Sequence, residues 1–395
     1  MKKYLVYWDY RRSDLLLPFY KLSDQFEWHF IYFRNREADN VQLTYPRFYW
    51  GDFKSPYKLI SKVKPDGIIF SDLSSLYAVS LNMAAKNISI PSYILDHGIK
   101  LDYDYYIDLE EKTQLKNQAL QMKDEGPIFS THKGRMHTLL FYLSALKLKN
   151  GWAGYKALKL FYSVFRLKSE KAFAKVQFAL RCPDQYLLFS KQNLAYYQQR
   201  DGISSTQTIY FGNPHQDDYI LQWGEASENI NDPYYLLLDD GQIEGFGITL
   251  AQKNDFICKL NDFALSQRSQ LIVKLHPFDY GRTDLYLHEN IVYKMSADIS
   301  ALINGAKGCF AISSTLMLPL IISGKLIAFK VKHSKIQEVI EGFGVKFLDY
   351  INFSSEDIDF TKFILHEQKS ATFIEHFLYK RDGKATERLK QILLS

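Results

Sequence analysis

The stretch Leu271-Ile272-Val273-Lys274-Leu275-His276-Pro277 reads as a buried strand that carries a basic side chain and an imidazole to its carboxyl end. Proline then stops the strand and fixes its exit. A short continuous apolar run of this kind suits a parallel sheet covered on both faces. Moving outward in the same half, Tyr234–Leu238, Ile291–Lys294, Cys309–Ile312 and Leu326–Phe329 read as further strands. Helical patterns at 247–267, 297–305 and 316–323 alternate with them, and a closing helix at 374–394 is interrupted by Asp382-Gly383. The first half repeats the alternation. Strands are expected at 4–7, 28–33, 67–70, 92–95, 185–189 and 208–211. Helices are expected at 14–22, from a Ser74 or Ser75 cap to about 86, and at 192–200. Strands alternating with helices imply parallel sheets with helices on both faces.

The chain has 395 residues, too many for one ordinary core. The reading is therefore α/β, with two doubly wound Rossmann-type domains facing across a cleft. They are placed at 1–222 and 234–395, joined by a polar, aperiodic linker at 223–233. In such sheets ligands bind beyond the carboxyl ends of the strands.

Composition narrows the partners. Lys2 and Lys3 are followed almost at once by Asp9, Arg11 and Arg12, which does not suit a signal peptide, and no run of about 18 apolar residues is present to span a membrane. Cys182, Cys258 and Cys309 lie far apart without metal-ligand spacing and read as reduced thiols of a cytoplasmic protein. The 28 Tyr and 28 Phe fit an aromatic-rich core, sugar stacking or a membrane surface. The net charge of +5 is unevenly placed: between Thr131 and Phe178 ten basic residues face one acid, Glu170, with aromatics interleaved. Two readings fit that segment. It docks on an anionic membrane surface at the inner face, or it is a solvated basic side of helices packed on the first domain. Nucleic acid is not expected, because no recognised binding motif accompanies the charge.

The chemistry concentrates in two places. His276, with Lys274 beside it and Pro277 after it, can hydrogen-bond a phosphate or a departing group's developing charge. About 36 residues later a strand ends in Ser313-Ser314-Thr315 at the start of a helix, where hydroxyls and free N–H groups suit an anion. The letters Asp239-Asp240-Gly241 close the first strand of the second half and Asp96-His97-Gly98 closes a strand of the first; each is also a common turn. Asp102-Tyr103-Asp104 reads as a solvated loop, and Gly245-Phe246-Gly247 is too short for a dinucleotide fingerprint.

The order Gly212-Asn213-Pro214, Lys274-Leu275-His276-Pro277, Ser313-Ser314-Thr315 and Gly324-Lys325-Leu326-Ile327 resembles GT-B glycosyltransferases of bacterial surface-polysaccharide synthesis. That set includes sialyltransferases and polysialyltransferases, capsule Kdo transferases and CDP-glycerol transferases. The sialyltransferases carry an acidic-acidic-Gly, a His-Pro and a Ser-Ser/Thr motif, and this chain matches the last two. The likeness covers most of 205–330. It implies a metal-independent, inverting enzyme without cofactor. Such an enzyme moves a sugar from a nucleotide-sugar donor, of the CMP-sugar kind, to a glycan or lipid-linked glycan acceptor in capsule or lipopolysaccharide. His276, Lys274, Pro277, Ser313, Ser314 and Thr315 would then hold the donor, with Asp240, Gly241, Gly212 and Asn213 nearby. An inverting transfer needs a base for the acceptor hydroxyl; the candidates rank Asp96, His97, then Asp240. His97-Gly98 also resembles the His-Gly of the CDP-glycerol transferases. A CDP-polyol phosphotransferase, an epimerase of the same fold and a non-catalytic nucleotide- or glycan-binding relative remain alternatives.

Overall fold

Parallel strands covered on both faces need apolar side chains at successive positions, and the computed structural model shows this in the inner strands of its sheets. Leu5 and Val6, Ile68–Phe70, Leu187 and Leu188, Leu236–Leu238 and Phe310 are all buried. The structure describes residues 1–8, 10, 13–32, 43–108, 132–147, 151–167, 169–221, 233–241, 247–276, 279–295, 297–312, 315–332 and 334–395. The chain divides into two compact units, Met1–Pro214 with Ala385–Ser395, and His215–Lys384.

The first unit holds seven strands: β1 (Lys2–Tyr7), β2 (Phe26–Tyr32), β3 (Arg47–Tyr49), β4 (Gly67–Phe70), β5 (Ser92–Leu95), β6 (Gln185–Leu188) and β7 (Thr208–Tyr210). They pair in the order β3-β2-β1-β4-β5-β6-β7, all parallel. The second holds six: β8 (Tyr234–Leu238), β9 (Gln270–Lys274), β10 (Ile291–Lys294), β11 (Gly308–Ala311), β12 (Leu326–Lys330) and β13 (Leu348–Asp349). Their order is β10-β9-β8-β11-β12-β13, again all parallel. Each sheet reverses its strand order once, between β1 and β4 and between β8 and β11. That is the Rossmann order, and the reversal is the switch point where such sheets bind ligands.

The expected strands are present, and two more are found. β3 and β13 are three and two residues long and lie at sheet edges, too short to leave a pattern in the sequence. Helix starts follow local chemistry. Ser75 caps Leu76–Asn87 by accepting from Ala78 N at 3.1 Å, and Thr249 with Gln252 forms a capping box opening Leu250–Ser266.

The closing segment corrects the expected domain limits. Glu367–Phe373 is helical and Ile374–Leu378 a π-turn, and the break at Asp382-Gly383 precedes a separate helix, Ala385–Leu394. That helix belongs with the first unit rather than with 234–384. Lys2 Nζ donates to the carbonyls of Leu393 and Leu394 at 3.2 and 2.6 Å, and Tyr4 OH to Leu393 O at 2.5 Å. Leu389 and Leu393 are buried among Tyr4, Phe26 and Trp28. The division between the units falls at Pro214–His215 instead of 222, and residues 223–232 of the expected linker lie outside the described residues.

Leu389→Ala and Leu393→Ala are each expected to cost the first unit about 2–5 kcal/mol, because each removes a buried side chain from a packed core. Urea unfolding followed by tryptophan fluorescence checks this, since Trp8, Trp28, Trp50 and Trp152 all lie in that unit.

Candidate active site

In the second unit Leu238 pairs with Lys274 on β9, and also with Ala311 on β11. The three central strands therefore end level. Asp239-Asp240-Gly241, Leu275-His276 and the chain from Ile312 onward leave the sheet together, across the switch point. Gly241 sits at φ +68°, and a Cβ there would lie 2.6–2.7 Å from Cβ, Cγ and Nδ1 of His276. Only glycine fits against that ring. The acidic loop and the histidine loop, 35 positions apart in sequence, thus pack directly on each other.

Lys253 holds both loops. It lies on the buried side of helix Leu250–Ser266, in line with Phe256, Ile257 and Leu260. Its Nζ donates to Asp239 Oδ2 and to Asp279 Oδ2, at 2.8 Å each, and all three side chains are almost wholly buried. Asp279 N donates back to His276 O at 2.9 Å, closing the turn after the histidine. Arg282 Nη1 reaches Asp279 Oδ1 at 3.2 Å. Burial pushes the Asp239 carboxyl up, whereas the hydrogen bond from Lys253 holds Asp279 below the ordinary carboxylate range in spite of burial. At Asp240 burial, reinforced by the neighbouring Asp239 charge, outweighs the pull of the Lys253 ammonium and pushes the carboxyl up to about 6.

The other predicted donor residues divide. Lys274 Nζ turns onto its own strand end: it donates to Leu275 O at 2.9 Å, Met295 O at 3.1 Å and Tyr280 OH at 3.4 Å. Pro277, Ser313 and Ser314 lie outside the described residues. Thr315 is described, and its carbonyl accepts from Gln216 Nε2 at 3.0 Å. The helix after it, Met317–Ile321, has five residues and a correspondingly small dipole, shorter than the expected 316–323. Buried Gln337 stitches the ends of β11 and β12, donating to Ile312 O and Phe329 O at 2.6 and 2.7 Å.

Asp96, His97, Gly212 and Asn213 belong to the first unit. Asp96 is 1% exposed, and burial raises its carboxyl above the usual range. Asn193 Nδ2 donates to its Oδ2, Tyr197 OH reaches its Oδ1 at 3.4 Å, and His97 N donates to Oδ1 at 3.2 Å. Asn193 also donates to Gly98 O and accepts from Lys100 N, so Asp96 and Asn193 together shape the loop 96–100. His97 is half-buried, its ring edge-on to Trp8 at 5.3 Å. Gly212, at φ +86°, follows Phe211, whose carbonyl accepts from Arg388 Nε at 2.8 Å.

Sequence reasoning missed Lys253, Asp279 and Arg282. The available signal was a lysine standing in the apolar stripe of an amphipathic helix, where a long cation needs a partner.

No protein-family model matches the chain, and no curated protein matches it in sequence. Solved structures do. The calicheamicin glycosyltransferase CalG4 is similar at a TM-score of 0.52 and 10% identity, over 100% of this chain and 98% of that one. The wall teichoic acid polymerase TagF gives 0.51 and 10%, over 100% and 88%. The glycotransferase of kitacinnamycin gives 0.51 and 11%, over 99% and 97%. At this identity the likeness is one of fold: two parallel-sheet Rossmann-like domains, the GT-B architecture that the sequence led us to expect.

Lys253→Met strands two buried carboxylates and is expected to cost about 3–5 kcal/mol near pH 7, with the loss shrinking in acid as they protonate; urea unfolding across pH measures it. Asp240 titrates near 6 when folded against an ordinary 3.8, so the folded protein holds that proton more tightly than the unfolded chain. Its contribution is present below pH 4 and is lost as pH rises through 6. Asp240→Asn is therefore expected to gain on the order of 1–3 kcal/mol over the parent at pH 8, and nothing below pH 4.

Proposed function

We propose that the chain is a GT-B glycosyltransferase. In this reading it moves a sugar from a nucleotide-activated donor of the CMP-sugar kind onto a bacterial surface glycan, such as capsule or lipopolysaccharide, presented at the inner face of an anionic membrane. The observation that carries this is the packing of Gly241 on His276 at the switch point of the second sheet, within a chain of GT-B fold. It leaves a half-buried imidazole at the place where Rossmann sheets take phosphates.

In the reaction the acceptor hydroxyl oxygen attacks the sugar's anomeric carbon. The bond from that carbon to the donor phosphate oxygen breaks, and the nucleotide leaves with the electron pair. His276 hydrogen-bonds the phosphate as its charge develops, and Ser313 and Ser314 hold phosphate or nucleotide. The acceptor proton passes to a base. Among the three candidates His97 fits best, because Asp96 is buried with donors on both oxygens and Asp240 lies with the donor residues. Asp96 is then a positioning residue. Inversion at the anomeric carbon follows from a single displacement, and no metal ion is needed in this scheme.

A second reading, a CDP-polyol phosphotransferase, draws on the fold likeness to TagF and on His97-Gly98. Both release CMP, and the mass added to the acceptor separates a sugar from a polyol phosphate.

At least one of CMP, CDP, UDP and GDP is expected to raise the melting temperature; stabilisation by none of them overturns the reading. His276→Ala is expected to lower transfer by about 100-fold or more with circular dichroism unchanged, and EDTA to leave the parent activity intact. Nucleotide binding without turnover on any acceptor marks a non-catalytic relative instead.

A further inference from the structure

Helix Gly151–Arg166 packs one side into the first unit through Ala157 and Leu160, with Phe161 and Val164 beside them. Its other side carries Trp152, Tyr155, Leu158, Lys159, Tyr162 and Arg166, all exposed. At 100° per residue these six fall within an arc of about 120°. Trp152 is 71% exposed and stacks on Tyr155 at 4.9 Å, and the Arg166 guanidinium lies 4.7 Å over the Tyr162 ring. A solvated basic face would not place three aromatic rings and a leucine in water, where large apolar surface is costly. The neighbouring helix His132–Ser144, joined to it by Tyr142 OH donating to Ala157 O at 2.9 Å, also exposes apolar residues at helical spacing: Met136, Leu140 and Leu143.

The charge is of one sign. Glu170 is the only acid between Thr131 and Phe178. Its side chain turns inward, accepting from Tyr103 OH at 2.6 Å and lying 3.6 Å from buried Arg200. Lys171 and Lys175 on the following helix are exposed.

We infer that the outer face of helix Gly151–Arg166 is a docking surface for an anionic lipid bilayer. Tryptophan and tyrosine rings settle at the headgroup level, leucine enters the acyl boundary, and lysine and arginine extend to the phosphates. A second copy of the chain fits poorly on this face, because two such faces would bring positive charge onto positive charge. The surface is built from residues of the first unit and the proposed nucleotide site from residues of the second, so vesicle binding and nucleotide binding are tested separately.

The test is flotation of the full chain with phosphatidylcholine vesicles, with and without about a third phosphatidylglycerol. The protein is expected to float with the anionic vesicles at low salt and to dissociate at 1 M salt, where the Debye length falls from about 10 Å to about 3 Å. Two variants, Trp152→Ala/Tyr155→Ala/Tyr162→Ala and Lys159→Glu/Arg166→Glu, are each expected to lose roughly tenfold or more in partitioning. Their melting temperature and nucleotide binding stay unchanged. The inference is overturned if the parent fails to float at low salt, if neutral vesicles bind equally, or if both variants bind like the parent. It is also overturned if duplex DNA competes the protein off vesicles of equal charge through the same face, or if a concentration-dependent dimer dissolved by these substitutions covers the helix.

Discussion

A buried ammonium between two carboxylates fixes the second unit's strand ends. Taking Lys253, Asp239 and Asp279 out of water carries a desolvation cost of several kcal/mol per ion, which only close, well-formed pairing offsets. Both contacts at 2.8 Å meet that condition, and Arg282 balances the second carboxylate. Asp239 begins the loop that carries Gly241, and Asp279 closes the turn that begins at His276. One side chain on one helix therefore sets two loops, and the glycine of the first is pressed against the imidazole of the second. Asp240, whose burial outweighs the pull of the Lys253 charge, keeps its proton to about pH 6.

The first unit solves the same problem with neutral donors. Asp96 occupies the strand-end position there, but amide and hydroxyl groups surround it, and its carboxyl is raised by burial. The unit's charged cluster lies deeper. Arg181 pairs with Asp201 at 2.6 Å, and Arg200 lies over the rings of Phe173 and Tyr196. Charges there lie among helices, whereas in the second unit they hold loops at the carboxyl ends of the strands. The two units share a strand order and differ in what leaves the strands.

That difference explains what could be read in advance. Strand positions were legible because a strand covered on both faces is apolar at each step, and this is a local property. β3 and β13 were not, being edge strands of two or three residues. The closing helix shows an apolar pattern through Ala385, Leu389 and Leu393, but nothing in it says that the partner surface is Tyr4 and Trp28 at the other end of the chain. Asp96 looked like a base because Asp-His-Gly after a strand faces the ligand end of a sheet. Asn193, 97 positions later, is what turns its carboxyl into a loop anchor. The place of His276 at a strand end was legible from the apolar run that precedes it and the proline behind it. Lys253 was visible only as an anomaly, a lysine in an apolar stripe whose two partners lie 14 and 26 residues away.

The proposed function can be set against the electrostatics at the second unit's strand ends. Asp239 and Asp279 lie against Lys253 and Arg282, Arg282 also reaches Asp284, and Lys274 points its ammonium at carbonyl and phenol oxygens. In the proposed reading, attraction to phosphate would come from directed donors such as the His276 imidazole. Donors of this kind depend on angle and distance far more than a diffuse positive field does. In that reading the loops must be held closely, and the buried Lys253 ammonium and Gly241 against His276 both constrain them.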